Sequence, residues 1–274
     1  MNFLISMIKH MENFLTIAIT AAVKASDAIM EVYTSGNFGE EAKADNSPLT
    51  LADKRSHEII KESLKSTPYP LLSEEGKDIP YDTRRTWGKF WLVDPVDGTK
   101  EFISRRGEFT VNIALVEKNT PVLGIILVPV TGELYFAEKG KGTWKINAKD
   151  VNPSNPYQGA RSLKPSKSID PRIIKVIASR SHMNEDTANF IQALEDKYGK
   201  VETMSKGSSL KFCAMAEDKA NVYPRFGPTM EWDTGAGHAI ALEAGLEVLI
   251  ANTRLPLTYN KENLLNPYFI VQKG

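Results

Sequence analysis

Trp91-Leu92-Val93-Asp94-Pro95-Val96-Asp97-Gly98-Thr99 is the stretch that decides how this 274-residue chain is read. Phe90 to Val93 is a continuous apolar run bounded by turn signals, so it reads as a buried strand. It runs straight into two aspartates three apart. Strand ends are where α/β proteins present their chemistry. Pro95 stiffens the turn, so both carboxylates can point into one pocket, and Gly98 lets a backbone come close to a ligand. If a helix begins there, the Gly98 and Thr99 amides can donate to a phosphate. Asp-Pro and Asp-Gly are also ordinary turn residues, so the stretch alone leaves both readings open. An EF-hand is excluded, because the spaced oxygen ligands and the terminal Glu are missing.

Outward from this strand, the first half mixes helices with antiparallel strands. The spacing of Ile17, Ala21, Ala25, Ala28 and Val32 predicts a long helix over 12–34. A second helix is expected over 50–65, a short strand over 69–72, and a polar loop over 77–88. Strands over 110–117, 122–129 and 133–138, joined by turns at Asn119-Thr120-Pro121 and Thr131-Gly132, form an antiparallel meander. Residues 150–170 are rich in Pro, Ser, Asn and Lys, which places a boundary between units 1–165 and 166–274. Beyond it, strands over 173–178, 200–204, 221–223, 247–250 and 268–272 alternate with helices over 185–197, 208–216 and 232–244, an α/β pattern.

Lysine plus arginine (34) equals aspartate plus glutamate (34), which argues against binding nucleic acid through bulk positive charge. The single cysteine, Cys213, excludes an intrachain disulfide and a cysteine zinc cluster. The four histidines are scattered; His57 and His238 read as structural. The longest apolar stretch near the start, residues 14–23, is too short to span a bilayer, and Lys9 and His10 stand in the wrong order for a secretory signal. Residues 1–10 read as a frayed or misassigned start, with Met11 an alternative initiator, and a cytoplasmic location is expected. Peripheral contact with the inner membrane face stays open, as do monomer and homodimer.

Two further acidic elements accompany the aspartates. Ser73-Glu74-Glu75-Gly76 follows a short apolar strand, and Glu231-Trp232-Asp233-Thr234-Gly235-Ala236-Gly237 opens a helix whose first turn is small. Alone, the first is solvated charge and the second a helix cap; the small residues also permit close packing round a ligand. Three acid sites at element ends, without a Cys or His cluster, suit a hard cation such as Mg²⁺, and paired Mg²⁺ suits phosphoryl transfer to water. Thr50-Leu51-Ala52-Asp53 is a capping box; if that helix start faces the acids, Asp53 can also take a proton from Thr99.

Together Ser73-Glu74-Glu75, Asp94 to Thr99, Trp232-Asp233 and Thr50-x-x-Asp53 resemble the inositol monophosphatase superfamily of Mg²⁺-dependent, Li⁺-sensitive phosphatases, over residues 12–272. Lys100-Glu101-Phe102, Ser179-Arg180-Ser181-His182 and Gly207-Ser208-Ser209-Leu210-Lys211 resemble its CysQ-type 3′(2′),5′-bisphosphate nucleotidase branch. The extension before Met11 departs from that pattern. The resemblance implies a layered αβαβα sandwich and two, or three, Mg²⁺ ions per site. It implies that Glu74, Asp94 and the Val96 carbonyl hold one ion, and that Asp94, Asp97 and Asp233 hold the second. A third would bind mainly through water near Glu74, which is therefore counted among the catalytic acids too. Thr99, helped by Asp53, would deprotonate the attacking water. Gly98 and Thr99 would cradle the scissile phosphate, and Ser179, His182, Gly207 and Lys211 the nucleoside 5′-phosphate end. The implied substrate is 3′-phosphoadenosine 5′-phosphate, with its sulfated analogue, in a role linked to sulfate assimilation. An inositol or other sugar phosphate is the rival substrate, and a non-catalytic nucleotide-binding regulator the rival of another class.

Overall fold

The computed structural model describes residues 14–42, 48–166, 173–178 and 184–274. Helix α1 (Phe14–Ser35) buries Leu15, Ala18, Ile19, Ala22, Ala25, Ile29 and Val32, spacings that draw one apolar stripe along it. Short strands β1 (Glu41–Ala42) and β2 (Pro48–Leu49) pair before helix α2 (Leu51–Leu64). A capping box starts α2: the Thr50 hydroxyl accepts from the Ala52 amide, and the Asp53 carboxylate accepts from the Thr50 amide.

Strands β3 (Leu71–Ser73), β4 (Lys89–Asp97), β5 (Thr110–Glu117), β6 (Thr120–Val128), β7 (Glu133–Glu138), β8 (Gly142–Asn147) and β9 (Arg161–Leu163) form a seven-stranded sheet in that order. Strand β3 runs parallel to β4, and the remaining neighbours are antiparallel. The two-residue period of a strand separates its faces. On β4, Trp91 and Val93 join the core beneath α1 and α2, while Phe90 and Leu92 join the core on the other side.

The second sheet has the order β11-β10-β12-β14-β13, from β10 (Ile173–Ala178), β11 (Lys200–Ser205), β12 (Val222–Arg225), β13 (Leu246–Ile250) and β14 (Phe269–Lys273). Counting along the chain, helix α3 is Tyr81–Arg84, α4 is Thr99–Ile103 and α5 is Glu185–Tyr198. Helices α6 (Leu210–Ala216) and α7 (Glu231–Glu243) lie between the two sheets, and one apolar cluster joins Leu92 and Ile126 to Phe212, Ile240, Val248 and Phe269. Helix α5 covers the outer face of the second sheet through Phe190, Ile191 and Leu194. The layers are therefore helix, sheet, helix, sheet, helix, the expected αβαβα sandwich.

Three details differ from the sequence reading. Residues 77–88 hold the short helix α3, anchored by buried Arg84, whose guanidinium donates to Asn260, Lys261 and Glu262. Those partners lie about 180 residues away, beyond any local pattern. Strands β1, β2, β8 and β9 also went unread; β9 is three residues long and lies in the polar stretch that reads as a linker. The small residues of α7 serve packing against protein. A β-carbon on Gly237 would stand 2.3 Å from the Phe212 ring, and one on Gly235 2.8 Å from Leu92.

Candidate active site

The site begins with an irregularity in β4. Residues 94 and 97 are an odd number apart, so regular alternation would send their side chains to opposite faces. The pairing with β5 shifts between them: Asp94 stands opposite Asn112, but Asp97 stands opposite Thr110. Three steps on β4 match two on β5, which is a β-bulge. It turns both aspartates to the face that carries α7. The bulge is tied to α2, because the Ser56 hydroxyl donates to the Pro95 carbonyl at 2.8 Å.

Glu74 follows β3, and its amide donates to the Val93 carbonyl, which sets it beside Asp94. The preceding Ser73 hydroxyl meets His57 Nδ1 at 2.9 Å, so His57 supports this turn. Asp233 lies in the first turn of α7 and accepts from the Met230 amide at 2.9 Å, which is the cap read from sequence. Asp94 is 1% exposed. Burial first, then the charges of Glu74, Asp97 and Asp233, push its carboxyl well above the usual range. Burial and Asp97 do the same to Asp233. Asp97 is raised by burial, against the pull of Lys211 and the Ser209 amide. The fold thus gathers Asp94, Asp97 and Asp233, beside Glu74, where burial and mutual repulsion disfavour their charged forms and an added positive charge would offset both.

Oxygen-only donors with a charge deficit fit a hard divalent cation and do not fit a soft metal. Among the described residues no three His, Cys, Asp or Glu side chains stand in a ready-made cage. The amides of Ser209 and Met230 instead hold oxygens of Asp97 and Asp233. The Val96 carbonyl accepts from the Thr99 hydroxyl at 3.2 Å.

Gly98 has φ +95°, a left-handed conformation suited to glycine, and caps the short helix α4. It turns Thr99 back toward α2, where the Thr99 hydroxyl lies 3.2 Å from Asp53 Oδ1. Asp53 Oδ2 accepts from the Thr50 amide at 2.7 Å and the Thr50 hydroxyl at 2.5 Å. Asp53 therefore serves as cap and as partner of Thr99 at once.

On the other side of Asp97 and Asp233 opens a cleft with about 140 Å³ of room, lined by Gly98, Glu101, Glu108, Gly207, Lys211 and Arg225 among others. Lys211 is 5% exposed, donates to the Ser208 carbonyl, and is lowered to about 8 by burial and by Arg225. The Gly207 amide donates to Glu108 at 3.2 Å. Sequence reasoning missed Arg225, whose buried Nε has no partner among the described residues. A lone arginine in a short strand carries no local signal; only the fold sets it beside Lys211. It also missed Ser56 on α2, and Thr110 and Asn112 on β5; for the last two, polar residues at core-facing strand positions were the available clue. Ser179, Arg180 and His182 lie outside the described residues.

The architecture and the site define a layered α/β protein with a carboxylate cluster beside a cleft that holds Lys211 and Arg225. Residues 10–268 match the inositol monophosphatase family, and the chain belongs to that family. It is 46% identical over 254 residues to the 3′(2′),5′-bisphosphate nucleotidase CysQ of Salmonella typhimurium, covering 91% of this chain and 96% of that one. The CysQ of Escherichia coli K12 is likewise 46% identical, over the same shares of both chains. A crystal structure of CysQ from Bacteroides thetaiotaomicron superposes with a TM-score of 0.86 at 48% identity, covering 96% and 98% of the two chains.

Proposed function

We propose that the protein is a Mg²⁺-dependent 3′(2′),5′-bisphosphate nucleotidase. It hydrolyses the 3′-phosphate of 3′-phosphoadenosine 5′-phosphate, giving AMP and phosphate, and acts likewise on the 5′-phosphosulfate analogue. The observation that carries this reading is that Asp97 and Asp233, two acids of the carboxylate cluster, line one cleft with Lys211 and Arg225. One part suits a cation and a phosphate ester, the other a second anionic group. The relatives named CysQ nucleotidases, alike over nine-tenths of the chain, support the same reading.

Inositol monophosphatase family members are generally Mg²⁺-dependent. Here Glu74, Asp94 and the Val96 carbonyl would hold one ion, and Asp94, Asp97 and Asp233 a second, with a third through water near Glu74. Mg²⁺ there supplies positive charge that makes water more acidic and offsets charge on the phosphate. The Thr99 hydroxyl receives the proton of the attacking water as its own proton passes to Asp53 Oδ1. Thr50 holds Asp53 Oδ2, so the acceptor faces Thr99. The Gly98 and Thr99 amides hold the scissile phosphate. Lys211 and Arg225 hold the 5′ anion with Gly207, Ser179 and His182. In this reading unit 1–165 brings Glu74, Asp94 and Asp97, and unit 166–274 brings Asp233 and the nucleotide contacts. Among the described residues no helix is long and apolar enough to cross a membrane. The working form we infer is a cytoplasmic monomer or homodimer.

The test is phosphate release from 3′-phosphoadenosine 5′-phosphate and from inositol 1-phosphate, titrated with Mg²⁺ with and without Li⁺. Fast, Mg²⁺-dependent release from the nucleotide alone supports the proposal. Preference for the sugar phosphate overturns the substrate, and nucleotide binding without release at any Mg²⁺ concentration overturns the catalysis.

A further inference from the structure

Beneath Asp97 lies a buried polar knot whose cost the packing alone does not explain. Thr110, Asn112 and Ser209 are 0%, 0% and 3% exposed. Thr110 and Asn112 occupy positions on β5 that share the face of Ala114 and Val116, which are apolar members of the central core. Ser209 comes from the other side, just before α6. The Ser209 hydroxyl lies 2.7 Å from that of Thr110 and donates to Asn112 Oδ1 at 2.9 Å, and Thr110 reaches the same Oδ1 at 3.1 Å.

These contacts have a direction. The two hydroxyls can donate or accept, so the direction is set at the other end of the amide, where the Asp97 carboxylate only accepts and takes the NH₂. The NH₂ points to Asp97 Oδ2, at 3.4 Å. The same oxygen accepts from the Ser209 amide at 2.6 Å, and the Ser208 hydroxyl donates to the Asp97 main-chain carbonyl at 2.9 Å. Oδ1 of Asp97 accepts no hydrogen bond from the described residues. One carboxylate oxygen is thus saturated and the other left over, and a rotation about the last side-chain bond would break both contacts to Oδ2.

We propose that Thr110, Asn112 and Ser209 are positioning residues that lock the Asp97 carboxylate in one rotamer, so that Oδ1 is offered to a divalent cation without reorganisation. The proposal rests on the reading of Asp97 as a cation ligand. The lock joins the first sheet to the start of α6: Thr110, Asn112 and Asp97 belong to the sheet, while Ser208 and Ser209 lead into the helix that carries Lys211 into the cleft. The carboxylate is therefore ordered before any ion arrives, and the ordering entropy is already spent in the folded chain.

The experiment measures cation affinity on full-length protein without substrate, by Mn²⁺ electron paramagnetic resonance titration. Thr110→Val removes the hydroxyl and keeps the shape, Asn112→Leu removes the amide, and Thr110→Ser restores the hydroxyl. The expected result is a Kd for Mn²⁺ raised about tenfold in Thr110→Val and more in Asn112→Leu, with Thr110→Ser close to wild type. The Mg²⁺ concentration for half-maximal phosphate release should rise in step, while kcat at saturating Mg²⁺ stays within about threefold. Thr110→Val keeps the assay informative if Asn112→Leu fails to fold. Variants that melt earlier but bind Mn²⁺ as wild type does overturn the positioning role and leave the site reading intact. Wild-type protein that binds no Mn²⁺, with Asp97→Asn no different, overturns the site reading itself.

Discussion

Asp94 is the residue on which the electrostatics converge. It is the most buried acid of the cluster, and Glu74, Asp97 and Asp233 all bear on its charge. Asp94→Asn keeps the shape and removes one charge that both proposed ions would share. It should lower kcat by about 10³-fold or more, about 4 kcal/mol of transition-state stabilisation. Near-wild-type turnover at saturating Mg²⁺ would falsify the two-ion arrangement. Lys211 should show in the pH profile. Burial and Arg225 lower it to about 8, against Asp97, Glu101 and Glu108. Its ammonium is the form that attracts an anion, present below that value and lost above it. KM for the nucleotide should therefore rise as pH climbs from 7.5 to 9.5 with kcat less affected, and Lys211→Arg, always charged, should flatten the rise. Stability moves the other way. The unfolded chain binds the Lys211 proton up to about 10.5, so this residue's penalty on the folded state shrinks between pH 8 and 10.5.

At the scale of elements, α7 does two jobs that pull on its composition. Its first turn presents Asp233, and its body threads between two sheets. Glycine is a poor helix former, yet Gly235 and Gly237 stand in this helix because Leu92 and Phe212 fill the space a side chain would need. Gly237→Ala gains about 1 kcal/mol of helix propensity and meets the Phe212 ring at 2.3 Å. Overpacking should prevail by about 1–3 kcal/mol, seen as an earlier midpoint in urea unfolding; an unchanged or later midpoint would mean that Phe212 swings aside at no cost. The loop between β13 and β14 holds the helix start from outside. Glu231 is fully buried and accepts from the Asn260 and Lys261 amides and from the Lys261 ammonium. Asn266 adds a bond to the Met230 carbonyl at 2.8 Å. Asp233 is thereby fixed by contacts from both ends of its turn.

For the molecule as a whole, the acid cluster is a liability that a cation relieves. The folded carboxyls of Asp94 and Asp233 lie above their unfolded values, so without a cation the folded state holds protons that the unfolded chain releases. That contribution is complete at low pH, below the unfolded values, and is lost as pH rises through the folded ones. At pH 7.5 a bound cation should replace the missing protons. An ion at 100 times its Kd stabilises by about 2.7 kcal/mol. At about 2–4 °C per kcal/mol for a chain of this size, Mg²⁺ should raise Tm by about 5–10 °C. Chelation should reverse the gain, and Asp94→Asn should show a higher Tm without Mg²⁺ and a smaller response to it. A Tm indifferent to Mg²⁺ in the wild type would remove the cation from the account.

The residues themselves carried much of this. The apolar run ending at Asp94, the Thr50-x-x-Asp53 cap, the meander and the later alternation of strands and helices were legible because each depends on neighbours within a turn or a strand. Contacts between distant segments were not legible. Pro95 was expected to aim the two aspartates, whereas the register shift against Asn112 and Thr110 turns both to one face, and a register belongs to two strands at once. Arg225 beside Lys211, Ser56 on the Pro95 carbonyl and the knot under Asp97 each join residues whose local sequence says nothing of the other. Local pattern determined which elements form and which acids stand at their ends, because backbone hydrogen bonding and side-chain periodicity act over a few residues. The tertiary structure decided which of those acids share a face and what charge stands across from them, because burial and Coulomb interaction act through space between segments far apart in the chain.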